Sequence, residues 1–197
     1  MGKALSEMSL EELWELFPII LKEHNSSYKE WYLVEKDEIV NAIGENNIKR
    51  INHIGSSAVE GLIAKPIVDI LLEIDSNSDI EQIKYKLSNA GWTLMSFESE
   101  TDLKMSFNKG YTPSGFAEKV FHLHVRFWGD WNELYFRDYL LIHKESAEEY
   151  AKLKQKLKEQ YTHNRDGYTD AKTEFILKYT KIARKEFGDR YLPGLTT

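Results

Sequence analysis

The segment Pro66-Ile67-Val68-Asp69-Ile70-Leu71-Leu72-Glu73-Ile74 constrains the fold more than any other part of the chain. An almost continuous apolar run of this length reads as a strand covered on both faces, at the centre of a sheet. Asp69 interrupts the run. A carboxylate inside an apolar strand is costly to bury unless it is paired, hydrogen-bonded or bound to a metal, so Asp69 requires a partner. The alternative at this point is an Asp at a sheet margin after an ordinary turn.

The flanking patterns supply the rest of the sheet and its helices. Ser9 with Glu12 three residues on forms a capping box ahead of Leu10, Leu13, Trp14, Leu16 and Phe17, and Pro18 should break that helix. A second helix is predicted from Ser27, with Glu30 three on, to Gly44. Ile48–Ile54 is β-branched and intermittently polar, as in a strand exposed on one side. Ser78 and Glu81 are expected to cap a third helix carrying Ile80, Ile83 and Leu87. Further strands are predicted at Trp92–Phe97, Leu103–Phe107 and Val120–Phe127, with a Gly/Pro/Ser loop from Gly110 to Gly115 between the last two. Helices over Trp131–His143, Ser146–Tyr161 and Thr169–Phe187 follow, with a polar break at Thr162–Asp166. The sum is an α+β fold, a small mixed sheet framed by helices at both ends.

With 197 residues, 4 Pro and no repeat or low-complexity tract, the chain reads as one compact unit. It has no Cys, which excludes disulfide scaffolds, thiolate zinc sites and a cysteine nucleophile and makes the cytoplasm the expected compartment. No stretch approaches the roughly eighteen apolar residues of a membrane span, so no membrane partner is expected. The apolar run Leu16–Leu21 follows an acidic segment, unlike the basic start of a signal peptide. A net charge of −6 argues against a duplex nucleic-acid partner, which needs a broad basic face. Residues 143–187, with 11 Lys/Arg against 8 Asp/Glu, are nevertheless net basic, and a local positive pocket can hold a small anion whatever the sign of the whole molecule.

Chemistry concentrates where a small-residue turn, Gly55-Ser56-Ser57, leads towards the Asp69 strand. A Gly-Ser turn lets backbone N–H groups approach an anion, and the Ser hydroxyl adds a donor. His122 and His124 alternate with Phe121, Leu123 and Val125, which puts both imidazoles on one side of a strand. At that spacing they can share a metal, or one can act as acid or base beside an anionic substrate, or both can be satisfied by neighbours on a polar strand face. Tyr168 and Lys172, four apart on a predicted helix, share a face. Arg137 is flanked by Asp138, and Lys65 stands just before the Asp69 strand. His24, His143 and His163 stand alone, and the five Trp read as core.

The Gly-Ser turn, followed after twelve intervening residues by Asp in an apolar strand, resembles the signature of the nucleotidyltransferase superfamily. More closely, residues His53 to Ile74 resemble the GrpB family, together with Phe121-His122-Leu123-His124-Val125, Phe136-Arg137-Asp138-Tyr139-Leu140 and Tyr168-Thr169-Asp170-Ala171-Lys172-Thr173-Glu174-Phe175-Ile176. The resemblance covers about residues 28 to 187. It implies a nucleotidyltransferase-type mixed sheet in a main domain at 28–197, preceded by an N-terminal helical extension at 1–27.

The resemblance also implies a nucleotide or nucleotide-like phosphorylated metabolite as ligand. That ligand would lie near Gly55, Ser56, Ser57 and Lys65, with Arg137, Tyr168 and Lys172 from the helices after the sheet, against the alternative of solvated helix charges. Superfamily members hold a pair of Mg²⁺ ions with two carboxylates two residues apart on one strand and a third on a neighbouring strand. Here the second position is Leu71. Glu73 cannot replace it, because residues four apart on a strand are separated by roughly 13 Å, against roughly 6.6 Å for two apart. A mixed site of Asp69, His122 and His124 would be the substitute. Three functions follow as expectations: Mg²⁺-dependent nucleotidyl transfer with Asp69 as the catalytic carboxylate; a catalytically silent ligand-binding module, which Leu71 favours; or a metal-dependent hydrolase centred on His122 and His124.

Overall fold

A computed structural model of the chain describes residues 3–100 and 102–194. The outer ends of the expected 1–27 extension and 28–197 domain, residues 1–2 and 195–197, lie outside the described residues. Strands β1 (Ile48–Ile54), β2 (Val68–Ile74), β3 (Thr93–Glu98), β4 (Lys104–Thr112) and β5 (Gly115–Phe127) form one sheet in the order β1-β2-β5-β4-β3. β2 and β5 pair in parallel and the other neighbours are antiparallel. Helices α1 (Leu10–Leu16), α2 (Tyr28–Ile43) and α3 (Ile80–Asn89) precede or interrupt the strands. After them come α4 (Asn132–Ile142), α5 (Lys144–Tyr161), α6 (Arg165–Asp170) and α7 (Thr173–Phe187). The α+β class and the mixed sheet framed by helices are those predicted from the sequence. Among the described residues no helix is long and apolar enough to cross a membrane.

The apolar run does form a central strand: β2 lies between β1 and β5, and Asp69 is its single half-buried residue among buried ones. Val68, Ile70, Leu72 and Ile74 face a core shared with Ile39 and Ile43 of α2 and Ile83 and Leu87 of α3. Each such side chain contributes about 1.5–3 kcal/mol by leaving water. Alternation sends Asp69, Leu71 and Glu73 to the other face. There Leu71 packs with Ile54 and with Leu134 of α4. Glu73 has no exposed surface and is held by Arg50, at 2.5 and 2.8 Å, and by the Gly129 N–H at 3.1 Å.

Several local expectations are corrected. The predicted Gly110–Gly115 loop is mostly a hairpin, because β4 runs to Thr112 and β5 starts at Gly115, and the Thr112 hydroxyl donates to the Gly115 carbonyl at 2.8 Å. Asp79, not Ser78, caps α3, accepting from the Gln82 N–H at 3.0 Å. The predicted helix Thr169–Phe187 is two helices, and α6 begins inside the expected polar break, where the Asn164 side chain accepts from the Gly167 N–H at 2.8 Å. The Ser9/Glu12 capping box forms as read, and α1 stops at Leu16, ahead of Pro18. After α1 the chain is tied to the rest by Ile19 N–H to the Thr162 carbonyl and by a bridge between Lys22 and Ala64.

Candidate functional site

The site grows from strand register. Parallel pairing sets Asp69 opposite His122 and Leu71 opposite His124, and antiparallel pairing sets Ile54 opposite Asp69. The turn that follows Ile54 is therefore delivered to the Asp69 carboxylate. Gly55 takes φ +70° and ψ −174°, a backbone conformation open essentially to glycine, and a short 3₁₀ turn runs from Ser56 to Ala58. A cleft of about 400 Å³ lies here, lined by Gly55, Ser56, Asp69, His124, Phe136 and Tyr150 among others. His122 and His124 also end a second cleft of about 650 Å³, with Trp14 and Leu94 among its walls and Arg165 beside the imidazoles.

Asp69 Oδ1 lies 3.0 Å from His122 Nδ1 and 3.9 Å from His124 Nε2. His122 Nε2 lies 2.7 Å from the Tyr111 hydroxyl and 3.2 Å from an Arg165 nitrogen. Burial pushes the Asp69 carboxyl up, but hydrogen bonds from His122 and His124 outweigh it and hold the group well below the usual carboxylate range. Burial also lowers His122, against the pull of Asp69. At neutral pH the pair is thus a carboxylate and a neutral imidazole whose Nδ1–H donates to Asp69 and whose Nε2 accepts from Tyr111. The partner that the sequence demanded for Asp69 is this imidazole pair.

A cationic cluster stands beside the carboxylate. Lys154 of α5 is buried, and its ammonium donates to Ser56 Oγ at 2.9 Å and to the Ile63 carbonyl. Burial together with the charges of Lys172 and Lys65 lowers it to about 7. Lys65 is lowered to about 7 by burial and by Arg165 and Lys172, against Asp69. Lys172 is lowered to about 8 by burial and by Arg165, with Asp69 opposing. Tyr168 lies between two of them, its ring centre 4.3 Å from the Lys172 ammonium and 5.9 Å from that of Lys65, while its own hydroxyl is buried without a partner.

Gly55, Ser56, Lys65, Asp69, His122, His124, Tyr168 and Lys172 are thus brought together as expected. Ser57 and Arg137 are not. Ser57 is buried with its hydroxyl 3.0 Å from His53 Nε2, and burial lowers His53 to about 4. Arg137 is spent on Asp138, Asn52, the His53 carbonyl and the Tyr191 hydroxyl. The sequence reading missed Tyr111, on β4, and Lys154 and Arg165, on the consecutive helices α5 and α6. The Asn164 cap, just before Arg165, left a local signal.

Asp69, His122 and His124 each offer one donor atom, all within 4.8 Å of one another, so the trio could hold a metal ion. Two of the three donors are imidazole nitrogens. Mg²⁺ takes oxygen ligands in near-octahedral array, and the two-carboxylate arrangement is missing because Leu71 is fully buried and Glu73 is committed to Arg50. The residues present do not fit Mg²⁺.

Fold and site define an α+β protein whose central strand presents an Asp–His–His cluster beside the buried Lys154 and the half-buried Lys65, Lys172 and Arg165. The chain belongs to the GrpB family: the GrpB protein family matches residues 18–182. It is 36% identical over 162 residues to the glutamate-rich protein GrpB of Alkalihalophilus pseudofirmus, covering 80% of this chain and 91% of that one. A crystal structure of the conserved protein GrpB from Enterococcus faecalis superposes with a TM-score of 0.74 at 25% identity, over 85% of this chain and 99% of that one. A crystal structure of the Cid1 poly(U) polymerase aligns with a TM-score of 0.42 at 12% identity, over 82% of this chain and 51% of that one.

Proposed function

We propose that this chain binds a nucleotide or nucleotide-like phosphorylated metabolite, with its phosphates against Lys65, Lys154, Lys172, Arg165 and the Gly55–Ser56 turn. One observation carries the reading: among the described residues, none of these four cations forms an ion pair with a carboxylate. Three of them are instead held below the ordinary lysine value by burial and by one another. Unmatched buried charge is destabilising, and a polyphosphate neutralises it with charge-assisted hydrogen bonds. The cleft beside the turn, about 400 Å³, is within the usual size of a small-molecule pocket, with Phe136 and Ile176 among its apolar walls.

Ligand binding rather than nucleotidyl transfer is the favoured activity, because a leucine in the core occupies the position of the second metal-binding carboxylate. The test is a thermal-shift panel of inorganic triphosphate, nucleotides and coenzyme A precursors in the presence of a chelator. A ligand at a hundred times its dissociation constant stabilises by about 2.7 kcal/mol. Triphosphate and at least one nucleotide are expected to raise Tm in the parent and not in Lys172→Ala. No response to any phosphorylated compound would overturn the reading.

A further inference from the structure

We infer that Asp69, His122 and His124 form a site for one borderline first-row transition ion of the Zn²⁺, Fe²⁺ or Co²⁺ kind. The inference deepens the phosphate-ligand reading by adding the cation beside it, and rests on that reading only for what fills the remaining coordination positions. The donors come from two neighbouring strands whose pairing fixes them. His122 and His124, two apart on β5, point to one face, and β2 sets Asp69 directly opposite His122. The resulting donor separations are 3.0 Å for His122 Nδ1 and 3.9 Å for His124 Nε2, each measured to Asp69 Oδ1. At metal–nitrogen and metal–oxygen lengths of about 2.0–2.2 Å, adjacent donors around one ion lie roughly 3–4 Å apart. Two imidazoles and one carboxylate leave positions open, and that set belongs to zinc and non-haem iron rather than to magnesium.

A second, independent observation lies outside the trio. A metal-bound histidine usually donates its other ring N–H to an oxygen, which fixes the ring. His122 has that oxygen in place: the Tyr111 hydroxyl stands 2.7 Å from Nε2, with the two rings stacked at 5.9 Å. With a cation on Nδ1, the proton moves to Nε2 and is donated to Tyr111. The Arg165 guanidinium, 3.2 Å from Nε2 and itself only a donor, then loses that acceptor and has an N–H to give to an anion. Cation and phosphate ligand are therefore expected to bind with positive coupling.

The test uses Co²⁺, whose visible absorption reports imidazole coordination. Metal-free chain should take up one equivalent, which Zn²⁺ displaces and a large excess of Mg²⁺ does not. His124→Ala should lower Co²⁺ affinity by more than the roughly 10–100-fold expected for Tyr111→Phe, which removes only the outer oxygen. His143→Ala, remote from the cluster, should bind as the parent does. Displacement of Co²⁺ by Mg²⁺, or unchanged affinity in a folded His124→Ala chain, would overturn the inference. The competition on the parent needs no variant to fold. Failure of the phosphate reading looks different: inorganic triphosphate would leave Tm unmoved while the Co²⁺ spectrum stayed intact.

Discussion

The carboxylate of Asp69 fills the space that a side chain at residue 55 would need: a Cβ on Gly55 would stand 2.5 Å from Asp69 Oδ2. The antiparallel register that pairs Ile54 with Asp69 creates this contact, and the positive φ of Gly55 turns the chain immediately after it. Turn and carboxylate are thus one unit. Neither can be altered without moving the other.

Gly55→Ala is expected to destabilise the chain by about 1–3 kcal/mol from the backbone alone, and further through the clash with Asp69. Gly61→Ala is the control for a positive φ without a clash, since Gly61 has φ +76° and nothing lies within 4 Å of its added Cβ. Urea denaturation should show the Gly55 variant less stable than the Gly61 variant, and Co²⁺ binding should fall only in the former. Equal losses would mean that the Asp69 contact relaxes without cost.

The lowered lysines make stability depend on pH in a definite direction. Lys65 and Lys154 near 7 and Lys172 near 8 bind fewer protons in the folded chain than in the unfolded chain, where the ordinary value is 10.5. Stability rises with pH wherever the unfolded state binds more protons. The penalty is therefore complete below about pH 7 and is relieved as pH climbs from there towards 10.5, the ordinary lysine value. Saturating triphosphate pairs the ammonium groups, so it should flatten this rise, and its binding at pH 8 should take up protons. Urea midpoints across this range, and calorimetry in buffers of different ionisation enthalpy, read the two effects. A falling midpoint in the free chain would refute the assignment.

Lys172 and Arg137, both expected at the ligand from sequence, should separate. Lys172→Ala should lose triphosphate affinity with little loss of stability. Arg137→Ala should keep affinity and lose on the order of 3 kcal/mol, because it strips hydrogen bonds from Asp138, Asn52 and the His53 carbonyl in a part-buried network. Denaturation and isothermal titration on the two variants decide it; loss of affinity in a folded Arg137 variant would return that residue to the site.

What was legible in the sequence had a local cause. The apolar run of β2, the Gly-Ser turn and the alternation around His122 and His124 each carry their period or their turn chemistry within a few residues. Lys154 has a local mark of the same kind: Tyr150, Lys154 and Leu157 stand at i, i+4 and i+7 on the buried stripe of α5, while Lys152 and Lys156 are exposed. The stripe says which lysine turns inward; that it meets Ser56 and Ile63 is set by docking across the chain. Ser57 and Arg137 are engaged elsewhere for the converse reason. Their motifs placed them near the site in the chain, but direction was set by His53 and Asp138.

Leu71 tests whether this scaffold retains room for a second carboxylate. The sequence suggests that Leu71→Asp could restore part of a two-metal pair; the structure opposes it. Leu71 has no exposed surface and packs with Ile54 and Leu134, under α4. An Asp there would be a buried charge, and no cation from the lysine cluster is bonded in that layer. Leu71→Asp is therefore expected to lower stability by several kcal/mol, enough to leave a small domain largely unfolded. Leu71→Met, which keeps volume and polarity, should cost less than about 1.5 kcal/mol and leave triphosphate and Co²⁺ binding as in the parent. A folded Leu71→Asp chain that gained Mg²⁺ affinity would show that α4 can lift away from the sheet far enough to admit a second carboxylate.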